Sequence, residues 1–500
     1  PPGWVRSATQ ILRITDALPV VRAERAKVPG STGEAFLRRP RSRPRRWQVG
    51  YFDERGGRRR EIVQVHVADA SGAVVEQWTG FRVAWTMARG YPGAFGRAVN
   101  APWVWIAFAV LFVAPFVDPR RPWRWLHADL AVLSAFSIAW ALFNASEVEL
   151  STPLVYPLLI YLLVRMLVVG LRRSGAQRLA SRPLPLLVPT TWLAVALVLL
   201  VAGRVVLNLV DSNVIDVGYA SVIGADRLLD GEALYGAFPQ DNAHGDTYGP
   251  ATYAAYVPFT LALGFGGTWD ALPAAHGAAI AFDLLVIVLL FLVGRRLRGP
   301  RLGIVLAYAW AAYPFTLLVS STNANDALVA VCVLAALLAA ASPPARGALV
   351  ALAGLTKFAP LALAPLFATH RRARGLRGYA LGLVAPLALG AGVVVVAGGP
   401  AAFWAATLGF QAGRDTPFSV YGLWGGLDLV RTLVQLVAVG LALAVAVVPR
   451  RDDLVGLAAL AAAVLIALQL GTTYWFFLYL AWFFPLVMVA LLGRYAQPVR

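Results

Sequence analysis

Apolar runs of roughly 18 residues or more recur from residue 101 onward, separated by short polar breaks. A helix needs about 20 mostly apolar residues to cross a bilayer, so the pattern predicts an all-α polytopic membrane protein. Eleven runs read as plain crossings, near 101–117, 129–146, 153–171, 184–210, 273–294, 301–319, 326–342, 378–398, 429–449, 453–470 and 475–493. Two apolar stretches do not fit a plain crossing. If residues 250–265 crossed, the Arg295, Arg296 and Arg298 cluster would face away from the other basic loops. That stretch is expected to lie in the membrane interface instead. Residues 347–369 have Arg346 and Arg371 at their ends and Gly354 and Pro360 within. Both ends then belong on one side, which predicts a re-entrant hairpin with Lys357 near its tip. The expected total is about 11–13 membrane helices.

The first hundred residues carry a different pattern. Residues 11–26 are weakly amphipathic with helical spacing, and 30–46 read as a basic connector. Residues 47–52, 61–67 and 74–78 alternate like strands, and Asp69 to Gly72 lie between the last two as a turn, which is a hairpin signal. The expected division is a small α+β domain (1–100), accessory membrane helices (101–183) and a larger membrane domain (184–500).

Composition agrees, with 59% hydrophobic and only 14% charged residues, where water-soluble domains carry about a quarter charged. The net charge of +18 invites a nucleic-acid reading, but its distribution excludes one. The arginines cluster between apolar spans (Arg120, Arg121 and Arg124; Arg172 and Arg173; Arg371, Arg372, Arg374 and Arg377; Arg450 and Arg451) without interleaved base-stacking aromatics. Clusters of this kind mark cytoplasmic loops. They orient the N-terminal domain and the segments 211–272 and 399–428 outward, away from the cytoplasm. The lone cysteine, Cys332, excludes an intrachain disulfide. The chain opens Pro1-Pro2-Gly3 with no signal peptide, and its natural start is expected to lie upstream or to have been removed.

With this orientation, polar residues gather on one side. Asp211 and Asp216 follow the run at 184–210. Each is either a helix terminator or a general base for an attacking hydroxyl. Asp326 is placed to cap the next helix, while Asn323 and Asn325 are spaced to hydrogen-bond a sugar. Lys357 is one of two lysines in the chain and lies in an apolar hairpin, where a charge is costly and suits a lipid phosphate. Arg414 either clamps a phosphate or pairs with Asp415. Tyr219 and Trp424 complete the candidate substrate-binding set. His66, His127, His276 and His370 show no metal spacing, and loop polarity accounts for Asp241, His244 and Asp246. No phosphate-cradling glycine loop or nucleotide fingerprint is present in the sequence, and no cofactor is expected.

These residues carry two resemblances. Trp47 to Phe52, Val65 to Gly72 and Glu76 to Gly80 resemble a PepSY-type module, which implies a small extracytoplasmic helix-plus-sheet domain. From about 184 to 493 the chain resembles the GT-C glycosyltransferases, especially family 87 with its polyprenyl-phosphomannose-dependent mannosyltransferases. The matching segments are Asp216-Val-Gly-Tyr219, Gly224 to Tyr235, Tyr248-Gly-Pro250, Gly354-Leu-Thr-Lys357-Phe-Ala-Pro360 and Arg414 to Tyr421. The resemblance implies inverting transfer of a sugar, with mannose favoured, from a polyprenyl-phosphate donor to a glycan or lipid acceptor outside the cell. It assigns the base to Asp216, with Asp211 as the other candidate. Lys357 and Arg414 would face the leaving phosphate, and no metal would be required. The alternatives are a transporter or lipid flippase, which also uses broken helices and membrane-depth charges, and a non-catalytic scaffold. The absence of an internal repeat and the one-sided polar set argue against transport.

Overall fold

The computed structural model describes residues 3–38, 45–55, 59–90, 95–172, 182–270, 272–370, 375–414, 416–449 and 451–496. The chain forms two compact units, residues 1–91 with 143–148, and residues 92–142 with 149–500.

In the first unit, α1 (Ala8–Asp16) and α2 (Pro19–Lys27) pack on an antiparallel meander. Its strands are β1 (Thr32–Arg38), β2 (Arg46–Asp53), β3 (Arg60–Ala68) and β4 (Val74–Thr79). Trp47, Val49 and Tyr51 of β2 and Val63, Val65 and Val67 of β3 alternate inward and meet Ile11 and Val21 of the helices. The expected hairpin is β3–β4. Two expectations are corrected. The helix over 11–26 is two helices, because Pro19 restarts the chain at a first-turn position. The basic connector contains β1, an edge strand too exposed to show alternation. Asp69 closes the unit by accepting from the N–H groups of Val5 (2.8 Å) and Arg6 (3.1 Å) and from Trp47 Nε1 (2.9 Å). Burial pushes its carboxyl up, but these donors and Arg45 outweigh that and leave its pKa lowered.

The second unit is helical. Its earlier helices are α3 (Pro102–Val113), α4 (Trp125–Asn144), α5 (Val148–Leu171), α6 (Thr190–Val210), α7 (Asp216–Asp230) and α8 (Pro250–Leu263). Then come α9 (Pro273–Arg298), α10 (Pro300–Ala312), α11 (Pro314–Ser321), α12 (Asp326–Leu338), α13 (Pro343–Thr356) and α14 (Ala364–Thr369). The later ones are α15 (Leu376–Val396), α16 (Asp428–Val447), α17 (Leu454–Leu470) and α18 (Leu480–Leu492). Six of these helices (α4, α5, α6, α9, α15 and α16) are long and apolar enough to cross a bilayer, seven if the bent pair α10–α11 counts as one span. The chain is thus a helical membrane protein, but length supports fewer crossings than the 11–13 expected. An apolar run is not always one helix. Pro314 splits 301–319 with a 62° bend, and α12, α17 and α18 are shorter than 18 residues.

The bend is held by a buried charge. Pro314 has no N–H to give and forces its predecessor into an extended conformation. Tyr313 accordingly takes φ −74° and ψ 125°. Arg204 of α6 reaches in to bond the carbonyls of Ala311 (3.2 Å) and Thr316 (3.0 Å), and it pairs with Asp283 of α9 (Nε to Oδ2, 2.9 Å). Trp310 Nε1 donates to the same carboxylate at 2.8 Å.

The hairpin forms as the flanking arginines imply. Helix α13 ends at Thr356, Lys357 is extended (φ −138°, ψ 131°), and the chain returns through a 3-10 turn at Ala359–Leu363 into α14. Arg346 donates to the carbonyls of Phe367 (2.9 Å) and His370 (3.3 Å), which ties the two feet together. Arg371 lies outside the described residues. Helix α8 has 14 residues, about 21 Å at the helical rise, which is too short to cross alone. It packs on α7, where Gly224 lies so close to the Tyr253 ring that a Cβ would clash at 2.0 Å.

Candidate functional site

The break in the hairpin presents Lys357 to three neighbouring elements. Its Nζ bonds Asp326 Oδ1 at 2.6 Å. It also lies 5.3 Å from the ring centres of Tyr248 and Trp482 and 5.6 Å from that of Tyr479. Aromatic faces and one carboxylate thus surround the ammonium inside a mostly apolar unit. Asp326 stands in the first turn of α12, but its side chain does not cap that helix. Its Oδ1 also accepts from Trp482 Nε1 at 2.8 Å, while the buried Oδ2 has no hydrogen-bond partner among the described residues.

A cavity of about 550 Å³ opens beside Lys357. Tyr248, Tyr474, Tyr479 and Trp482 form part of its wall, and one face of α16 forms another. Along that face the lining changes from Arg431 and Gln435 to Ala438 and Val439, so the wall passes from polar to apolar within about 12 Å. Pockets of this size with a few placed polar groups are typical of ligand sites.

Asp216 does not line the cavity, yet it belongs to the same electrostatic cluster. It occupies the first turn of α7, where the macrodipole favours a negative charge. Burial among protein atoms raises its pKa above the usual carboxylate value. The Val217 N–H and the positive charges of Arg414 and Lys357 pull in the other direction without cancelling the rise. The side chain is nevertheless reached by solvent. A carboxylate hemmed in by protein but open to water can exchange a proton with a group that approaches from solvent.

Arg414 lies with its guanidinium 4.0 Å over the Tyr474 ring and 5.3 Å from that of Phe410. Asp415 lies outside the described residues. The loop carrying Arg414 is seated on the segment before α8 by Gln411 Nε2 to Thr247 Oγ1 (2.9 Å) and by stacking of Phe410 on His244 (4.4 Å).

Asp216, Lys357, Arg414 and Asp326 therefore converge, although they come from four separate stretches of sequence. The other candidates stand elsewhere. Asp211 is exposed at the end of α6. Asn323, at φ 52°, is buried and engaged with Asn208 (2.8 Å), Ser212 (3.1 Å) and the Asn213 carbonyl (3.1 Å), which makes it a brace between loops. Asn325 donates to Ser221 at 3.1 Å. Tyr219 bonds Asp241 at 3.2 Å and stacks on Trp269, and Trp424 is half exposed at the end of a short helix. Asp241, His244 and Asp246 engage Tyr219, Phe410 and the Gly236 N–H separately. Among the described residues no group of three or more His, Cys, Asp or Glu side chains could hold a metal ion.

Sequence reasoning missed the aromatic enclosure. Its signal is the run Tyr474-Trp-Phe-Phe-Leu-Tyr479-Leu-Ala-Trp482, whose density of rings exceeds what a lipid-facing helix needs. Comparison of the chain with protein-family models, with curated proteins and with solved structures gives no match.

Proposed function

We propose that this chain is a membrane glycosyltransferase that moves a sugar, mannose by resemblance, from a polyprenyl-phosphate donor to a glycan or lipid acceptor on the extracytoplasmic side. The observation that carries the reading is the joining of a caged Lys357 to a cavity whose wall passes from polar to apolar. An amphiphile with a phosphate head and a hydrocarbon tail fits that gradient. Arginine clusters at the loops Asp118 to His127 and Arg295 to Arg298 support a cytoplasmic position for the opposite end of the bundle.

In the proposed reaction the acceptor hydroxyl attacks the anomeric carbon while the bond from that carbon to the phosphate oxygen breaks. Asp216 takes the hydroxyl proton. Polyprenyl phosphate leaves, and Lys357 and Arg414 meet the charge it gains, an electrostatic role worth several kcal/mol in a water-poor site, about 3 in round terms. Attack from the face opposite the leaving group inverts the anomeric centre. The raised pKa of Asp216 suits it to accept a proton.

Full-length protein in liposomes, given a polyprenyl-phosphate sugar and a membrane extract as acceptor source, tests this. Asp216→Asn is expected to lower transfer by about 10²–10⁴-fold while its elution and thermal unfolding match the parent. Unchanged transfer in that variant, with Asp211→Asn inactive, would move the base to Asp211. Transfer unaffected by both changes would sink the enzyme reading.

The bent pair α10–α11 gives the transporter reading its one structural handle, since broken helices also line transport paths. That break is pinned by the bonds of Arg204, which suits a fixed kink better than a hinge.

A further inference from the structure

The far end of α18 carries a second constellation, unrelated to sugar transfer. A cleft of about 520 Å³ is lined there by Arg120, Arg121, Arg124, Arg165, Arg182 and Arg494. Two carboxylates answer these cations. Asp129 accepts from Arg165 at 2.8 Å, and Asp118 pairs with Arg124 at 3.0 Å. Among the described residues Arg120, Arg121, Arg182 and Arg494 have no carboxylate within ion-pair distance. The cleft is also built rather than accidental. A backbone bond from the Ala496 N–H to the Arg182 carbonyl (2.8 Å) draws the two chain segments together and sets Arg182 beside Arg494. Burial and the charge of Arg165 push the pKa of Arg494 down, as expected where cations crowd without enough anions.

An apolar groove of about 370 Å³ continues from this cleft and shares Trp125, Arg165 and Arg494 with it. Its floor is the stripe Tyr161, Val164 and Val168 on one face of α5, with Arg172 just past the helix end. Trp123 and Trp125, which are 98% and 69% exposed, flank the entrance in the manner of rings at headgroup level. A concentrated positive pocket, an apolar trough along a membrane span and a tryptophan rim together describe a head, a chain and an interface.

We propose that this cleft binds an anionic phospholipid. Its phosphate would sit among Arg120, Arg121, Arg182 and Arg494, and one acyl chain would lie along Val164 and Val168. Guanidinium groups meet phosphate oxygens in bidentate fashion, and basic pockets between membrane helices favour such head groups.

Delipidated full-length protein in neutral detergent is titrated with dioleoylphosphatidylglycerol, dioleoylphosphatidylcholine or glycerol 3-phosphate, and bound species are counted by native mass spectrometry. The anionic lipid is expected to bind about tenfold more tightly than the zwitterionic one. Arg182→Gln with Arg494→Gln should bring the two lipids to within about twofold of each other. Val168→Trp should weaken both lipids together by obstructing the trough. Should the Arg182→Gln, Arg494→Gln variant fail to fold, Arg120→Gln with Arg121→Gln removes the same number of charges from the exposed loop before α4. Equal binding of both lipids to the parent, or a preference that survives the charge substitutions, overturns the site. Glycerol 3-phosphate competing as well as the lipid would make it a site for free phosphate esters and overturn the lipid assignment.

Discussion

Arg204–Asp283 and Lys357–Asp326 are both buried ion pairs of the helical unit, and they are finished differently. Arg204–Asp283 is closed on all sides. The guanidinium spends its donors on the carboxylate and on carbonyls freed by the Pro314 break, and Trp310 completes the carboxylate. Lys357–Asp326 is left incomplete. The ammonium has one carboxylate oxygen and three aromatic faces, Asp326 Oδ2 has no hydrogen-bond partner among the described residues, and a cavity opens alongside. Breaking a buried pair costs far more than the intact pair contributes, so charges persist in an apolar interior only with a purpose. A fully bonded pair serves the architecture. A partly bonded pair facing a cavity has capacity left for a ligand.

The largest effect should come from opening the closed pair. Asp283→Ala leaves Arg204 buried without its carboxylate and is expected to destabilise the protein by about 3–5 kcal/mol. Thermal unfolding in detergent and the yield of monodisperse protein report this. Replacing both members, Arg204→Met with Asp283→Leu, should recover most of that loss, to within about 1–2 kcal/mol of the parent, because two unpaired charges disappear together. Failure of the double variant to recover would mean that the bonds to Ala311 and Thr316, not the pairing, hold the kink.

The open pair should behave in the reverse manner. Lys357→Met is expected to unfold within about 1–2 kcal/mol of the parent, since Lys357 itself lines the cavity and the space it vacates is open to water from that side, yet to lose about 10²-fold in transfer. The double variant Lys357→Met with Asp326→Leu should regain stability and not activity. Stability losses matching those of Asp283→Ala would erase the distinction between the two pairs.

The sequence made one of these pairs visible and hid the other. Lys357 stands out because lysine is rare in this chain and flanking arginines force its helix to turn back. Asp326, its counterion, lies 31 residues earlier and looks like an ordinary cap. Arg204 passes unnoticed within a long apolar run, because one arginine barely alters mean hydropathy and its partner comes from a different helix. Local patterns report what each helix does with its own residues. They are silent about side chains that meet across 79 positions, as Arg204 and Asp283 do. The same limit explains β1, whose exposure left no alternation, and the crossing count, because apolarity persists through breaks such as Pro314 that end a helix.

A pH profile gives a moderate effect. Transfer by the proposed mechanism needs ionised Asp216, and burial has raised its pKa. Activity should therefore fall as pH drops through a value above the usual carboxylate range near about 3.9, and it should level off above that value. The sign for stability is opposite. A raised folded-state pKa means that the protonated form is favoured in the fold, so ionisation of Asp216 costs stability as pH rises through the same value. Asp216→Asn should remove that stability dependence. An acid limb persisting with an unchanged midpoint in another active variant, Asp211→Asn, would tie the profile to Asp216.

The smallest effect is expected where an acid has no pairing at all. Asp211 lies only five positions before Asp216 in the sequence, but it stands at the end of α6, while Asp216 opens α7 within reach of the charges of Lys357 and Arg414. With no ion pair to break and little water to displace, Asp211→Asn should change stability by less than about 0.5 kcal/mol. Transfer should stay within about twofold of the parent, since an exposed charge outside the cluster is screened by solvent and salt. A steady-state assay run beside Asp216→Asn provides the contrast. If Asp211→Asn proved the more damaging of the two, the rule that separates the two ion pairs would fail for single acids, because a place beside the charges of Lys357 and Arg414 would no longer mark the group that acts.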